Sequence, residues 1–215
     1  MDMFSNDSIL QHHLSLFKQD LDHLWAQYKA HQNEGLLLLH HKYEQIFKRI
    51  SLQIMEDIYI ISHTATKRSL QQSCDEIGIN PILRDKLLAI MQPAPDLPPH
   101  KIMDAMQAIK TLCNEYPENL DEINQVMQRS RRIKLKLTHL YLSKQLKEVL
   151  SLYHLTLEQA SRILQIKKKI LTNCLAGSSI KSPCPIWLPG LLAIKTEGLN
   201  FQGELNKLTS ETTIN

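Results

Sequence analysis

Glycine is scarce in this chain, at 6 of 215 residues, and aromatic residues make up only 6%. So few glycines leave no phosphate-binding glycine loop and no G-x-S-x-G elbow, and no paired-carboxylate or H-E-x-x-H motif is present. No catalytic residues are expected, and the chain reads as a non-enzyme without a cofactor. Long apolar runs are missing too. The longest, at 36–39, is four leucines between Gly35 and His40, against the roughly 18–20 residues needed to span a bilayer. The first seven residues, Met1-Asp2-Met3-Phe4-Ser5-Asn6-Asp7, have neither the basic start nor the apolar stretch of a secretory signal. The expectation is a cytoplasmic protein with no membrane contact. Cys74, Cys113, Cys174 and Cys184 form no C-x-x-C and lie at no zinc-finger spacing from histidine, so they read as reduced thiols. The pairs His12-His13 and His40-His41 point about 100° apart on a helix, so no metal site is expected.

Charge is present but unevenly placed. Residues 1–128 carry 11 Lys/Arg against 17 Asp/Glu, and residues 129–181 carry 12 against 2. That partition separates an acidic body from a basic module that could face a polyanion, or simply a solvated basic helix face.

Strand-like alternation is nearly absent, and apolar spacings of three and four dominate, which predicts an all-α fold. A first helix is expected over 6–31, with Ile9, Leu10, Leu14, Leu16, Phe17, Leu21, Leu24, Trp25 and Tyr28 on a wide apolar stripe. A second follows over 36–74, with Tyr43, Phe47, Ile50, Ile54, Ile58 and Ile61 forming a near-heptad seam. That seam pairs either with the first helix as a hairpin or with a second copy of the chain as a homodimer. Gly78 reads as a helix stop, Asn80 as an N-cap and Pro81 as the first residue of a short helix to about 91. The four prolines within 93–99 exclude a helix and mark a linker. Helices over 100–116 and 118–152 come next, the latter carrying Arg129, Arg132 and Lys136 on one face as phosphate contacts or solvated charges. The organisation expected is an acidic helical region at 1–92, the linker at 93–99, connecting helices with a basic run at 100–145, a helix-turn-helix module at 146–198 and a flexible tail at 199–215.

The most informative stretch is Leu155-Thr156-Leu157-Glu158-Gln159-Ala160-Ser161-Arg162-Ile163-Leu164 followed by Gln165-Ile166 and Lys167-Lys168-Lys169-Ile170-Leu171-Thr172-Asn173-Cys174-Leu175-Ala176-Gly177. Thr156 and Gln159 fit a T-x-x-Q capping box, and Gly177 ends a second short helix. Ala160 is small enough for two helices to cross closely, while Leu164, Ile166 and Leu171 fill the space between them. Lys168, Lys169, Thr172 and Asn173 then face outward.

This stretch resembles the phage-repressor (Cro-like) helix-turn-helix family. Leu155, Thr156, Glu158, Gln159, Ala160, Leu164, Ile166, Ile170, Leu171, Thr172 and Gly177 fall on the family pattern without a gap. Gln165 stands where the family has a turn glycine, Lys167 where it has a Ser or Thr N-cap, and Cys174 where it has an aromatic core residue. The segment from Pro183 to Ile194 is similar to the family's later proline-led helix, with Pro189-Gly190 expected to interrupt it. The likeness covers about 146–194, roughly a quarter of the chain. It implies that the second helix enters the major groove of double-stranded DNA and the first crosses the backbone. Lys168, Lys169 and Asn173 would then read base edges, and Lys167, Gln159 and Lys181 would hold phosphates. The function implied is that of a bacterial or phage-type transcriptional regulator. Two other readings stand beside it: a helical adaptor or scaffold binding protein through its N-terminal helices, and an RNA binder, against which the few aromatics of 129–181 weigh.

Overall fold

The computed structural model describes residues 7–90, 99–176 and 184–212. Every regular element among them is helical, so the fold is all-α. In chain order these are α1 (Asp7–His31), α2 (Glu34–Tyr59), a π-helical turn (Ile60–Thr64), α3 (Ala65–Ile77), α4 (Pro81–Ile90), α5 (Pro99–Glu115), a 3-10 turn (Pro117–Asn119), α6 (Leu120–Leu152), α7 (Leu157–Leu164), α8 (Lys168–Leu175) and α9 (Leu188–Thr212). Among the described residues no helix is long and apolar enough to cross a membrane.

The chain divides into two compact units, and not at the prolines. The first gathers Met1–Glu56, Leu142–Gly177 and Cys184–Asn215, and the second Asp57–Tyr141 with Ser178–Pro183. The expected region 1–92 is therefore shared between units, because contacts distant in sequence decide the division. Of the linker 93–99, only Pro99 lies among the described residues, and it opens α5.

In the first unit, Gln32 takes a left-handed φ of 51° after α1, and Asn33 caps α2 by accepting from the Gly35 N–H at 2.8 Å. Phe17 of α1 meets Tyr43 of α2 edge-on at 6.3 Å between ring centroids. Phe201 of α9 closes the cluster, 6.0 Å from Phe17 and 5.1 Å from Tyr43. Glu204 of α9 accepts from Lys42 Nζ at 2.7 Å and from Tyr43 Oη at 3.0 Å. Tyr43, Ile50, Ile54 and Ile61 of the seam are buried, Phe47 is half-buried and Ile58 is exposed at 47%.

Two expectations for the C-terminal stretch are corrected here. Pro189 does not interrupt the last helix. It sits in the first turn of α9, where its missing N–H has no intrahelical acceptor to lose. The expected tail at 199–215 is helical to Thr212, held by the burial of Phe201. Gly190 is required at its position, since a Cβ there would lie 2.7 Å from Ile54 Cγ1.

The second unit packs α3, α4, α5 and α6 around Leu70, Cys74, Ile79, Leu83, Leu87, Leu112, Ile123 and Val126. Gly78 ends α3 at φ 74°, its N–H donating to the Cys74 carbonyl, and Asn80 accepts from the Ile82 N–H at 2.8 Å to start α4 behind Pro81. Ser69 of α3 and Ser130 of α6 share a buried hydroxyl hydrogen bond of 3.1 Å. At the π-helical turn, Ser62 Oγ donates to the carbonyls of Ile58 and Tyr59, drawing acceptors from the backbone ladder.

Candidate nucleic-acid interface

The capping box read from Thr156 and Gln159 is formed. The Gln159 N–H donates to Thr156 Oγ1 at 3.2 Å, and Gln159 Oε1 accepts from the Thr156 N–H at 2.8 Å. The Gln159 side-chain carbonyl is thus committed to starting α7. At the other end Gln165 adopts φ 57° and ψ 37°, in the left-handed region, the conformation for which glycine is the usual residue. Its N–H donates to Arg162 O at 3.2 Å, the Ile166 N–H to Ser161 O at 3.1 Å, and Ser161 Oγ to Ile166 O at 2.5 Å. These bonds fix a two-residue turn before the extended backbone of Lys167, at φ −65° and ψ 134°, leads into α8.

Helix α7 packs on α8 and on α9. Ala160 and Leu171 are wholly buried, with Leu164 and Cys174 nearly so. Leu142 and Leu146 of α6 and Leu188 and Leu192 of α9 are wholly buried as well. Ser143 of α6 donates to Leu175 O at 3.3 Å, holding the end of α8.

The exposed residues of α8 are mostly polar, with Ile170 exposed at 43% among them. Lys167, Lys168, Lys169 and Thr172 are exposed, and Asn173 is half-buried. Thr172 Oγ1 turns back to donate to Lys168 O at 3.1 Å. Lys167 provides no side-chain cap, and the first turn of α8 holds no acidic residue. None of the three lysines makes an ion pair among the described residues. Three cations therefore gather at the positive end of a helix dipole, where each is unfavourable. Lys181 and Gly177 lie outside the described residues.

The basic run belongs to the second unit. Arg129 pairs with Glu76 of α3, and hydrogen bonds from Gln72 and from Arg129 hold the Glu76 carboxyl below its ordinary value. Arg132 and Lys136 are exposed, while burial pushes the Lys134 ammonium below its ordinary value. The Glu76 partner could not be read from the sequence, since it depends on α3 lying against α6. A groove of about 440 Å³ beside that pair is lined by Arg68, Gln71, Gln72, Asp75, Glu76 and Leu137; its mixed charge gives no anion site. Comparison with family models, with characterised proteins and with solved structures finds no match.

Proposed function

We propose that the chain binds double-stranded DNA in a sequence-specific manner through α7 and α8 and acts as a transcriptional regulator. The carrying observation is the start of α8, with exposed Lys167, Lys168 and Lys169 on an uncapped, positively polarised helix end. Each such charge costs the free protein about 0.3–1 kcal/mol, a cost that a phosphate at the helix terminus reverses. Two features support the reading. Gln165 is left-handed where the resembling family places its turn glycine, and the buried set Ala160, Leu164 and Leu171 leaves Lys168, Lys169 and Thr172 outward. In this account Lys168, Lys169 and Asn173 read bases, with Thr172 beside them. Lys167, Lys181 and the Gln159 amide contact phosphate. Arg132 and Lys136 are the better candidates for added phosphate contacts, because Glu76 already holds Arg129. A homodimer belongs to this reading, since one small module reads few base pairs, but through a surface other than the buried Tyr43, Ile50 and Ile54.

Selection from a random duplex library tests the proposal. The wild-type chain is expected to enrich a shared sequence that the Lys168→Ala, Lys169→Ala and Asn173→Ala variants lose. Failure to retain any duplex at low salt would favour the second reading, a helical adaptor. Leu38, Leu52 and Met55 of α2, at 69%, 65% and 64% exposure, favour that alternative.

A further inference from the structure

Helix α2 carries a second apolar stripe besides the seam. Leu52, Met55 and Tyr59 recur at spacings of four and three along it, at 65%, 64% and 52% exposure. They lie across the helix from Ile50 and Ile54, which are buried. Ile58, exposed at 47%, borders the stripe on one flank. On the other flank stand Arg49 and Glu56, both exposed and two turns apart. Neither makes an ion pair among the described residues. Lys48, in line with the stripe, is held by Glu44 at 2.9 Å. Large apolar side chains gathered on one helix face mark an interaction surface, unlike the single exposed residues common on any protein.

We propose that α2 pairs antiparallel with α2 of a second copy of this chain through Leu52, Met55 and Tyr59. The register sets Arg49 against Glu56 of the second copy. In that register the stripe is self-complementary. A two-fold axis level with residues 53 and 54 places Leu52 against Met55 of the second copy and Met55 against its Leu52. On the flank, Arg49 faces Glu56 of the second copy and Glu56 faces its Arg49, so one pairing made twice satisfies both charges. Lys48 falls opposite Tyr59 of the second copy, and an ammonium beside an aromatic ring is favourable. A parallel pairing would instead set Lys48 against its own counterpart in the seam, which like charge opposes. These reciprocal charges favour a second copy over an unrelated protein as the occupant. The pairing gives the proposed homodimer its surface, but it rests on α2 alone and not on what α8 binds.

Sedimentation equilibrium of the full chain without DNA, from about 1 μM to about 200 μM, covers the association range of a small interface. The weight-average mass is expected to rise from one chain toward two. Met55→Asp should stay monomeric throughout, with the circular dichroism and Tm of the wild-type monomer. Arg49→Glu or Glu56→Arg alone sets like charges against each other twice, and each should weaken association by about tenfold. Combining the two exchanges restores opposite charges and should return association to the wild-type level. Three results would overturn the proposal: a wild-type chain that remains monomeric across the range, a dimer that Met55→Asp leaves intact, or a combined exchange that associates as weakly as the single ones. Since no DNA is present, none of these outcomes depends on whether the chain retains a duplex.

Discussion

Replacing Lys167 by Asp separates what α8 needs for stability from what it offers a partner. The Lys167 backbone already has the extended geometry of an N-cap, at φ −65° and ψ 134°, but its side chain supplies no acceptor. An Asp carboxylate there can accept from the N–H of Lys169, which contributes about 1 kcal/mol; the Ile170 N–H already donates to Lys167 O at 2.8 Å. Exchanging a cation for an anion at the positive end of the dipole adds about 0.5–1 kcal/mol. At about 2–4 °C per kcal/mol for a chain of this size, Tm should rise by about 3–8 °C. Tryptophan fluorescence is the suitable assay, because the chain has two tryptophans, Trp25 and Trp187, and both belong to the first unit. The same variant should lose about tenfold in affinity for duplex DNA, equivalent to about 1.4 kcal/mol. Lys167→Ala serves as the control, since it removes the charge without supplying a cap. An unchanged or lowered Tm in Lys167→Asp would refute the account of the α8 terminus, and a stability gain with unchanged DNA affinity would refute its functional half.

Other substitutions probe the packing around the same module. Gln165→Gly relieves a left-handed residue and should stabilise the first unit by about 0.5–1 kcal/mol; destabilisation in a urea titration would show that the turn has another conformation. Leu171→Ala should cost about 2–5 kcal/mol, since Leu171 is wholly buried, and a loss below about 1 kcal/mol would contradict that burial. In Gly190→Ala the new methyl meets Ile54 at 2.7 Å. Overpacking of about 1–3 kcal/mol should outweigh the helix-propensity gain of about 1 kcal/mol, and a stabilised variant would argue against the close approach. Burial and then hydrogen bonding to Glu204 and to Glu197 push the Tyr43 and Tyr153 hydroxyls, respectively, above the ordinary 10.0. The protonated form is favoured by folding, so this stabilisation is present below pH 10 and is lost as pH rises beyond it. Absorbance at 295 nm should show the Tyr43 and Tyr153 hydroxyls, assigned with Tyr43→Phe and Tyr153→Phe, ionising only as the protein unfolds, whereas ionisation of either before unfolding would contradict this.

What could be read in advance was local. The stop at Gly78, the start at Asn80 and Pro81 and the capping box at Thr156 and Gln159 involve residues within four positions of one another, and each is formed. The missing pieces depend on distant contacts. Phe201 looks like one apolar residue in a polar tail until Phe17 and Tyr43 are placed beside it. Pro189-Gly190 looks like a break until the close approach of Ile54 explains the glycine. The Arg129 pair likewise joins residues with no common periodicity. For the candidate site, the outward placement of Lys168, Lys169 and Thr172 followed from helical spacing, whereas the half-burial of Asn173 did not.

The central claim is that the α8 lysines meet DNA phosphates and bases, and the salt dependence of binding addresses it most directly. Fluorescence anisotropy with a labelled duplex should give a linear fall of log affinity with log salt. Each lysine that neutralises a phosphate contributes about 0.9 to that slope. Replacing Lys167, Lys168 and Lys169 together by Ala should flatten the slope by about 0.9, since Lys167 is the one of the three assigned to a phosphate. Binding by the wild-type chain with a slope that the triple variant leaves unchanged would contradict the account.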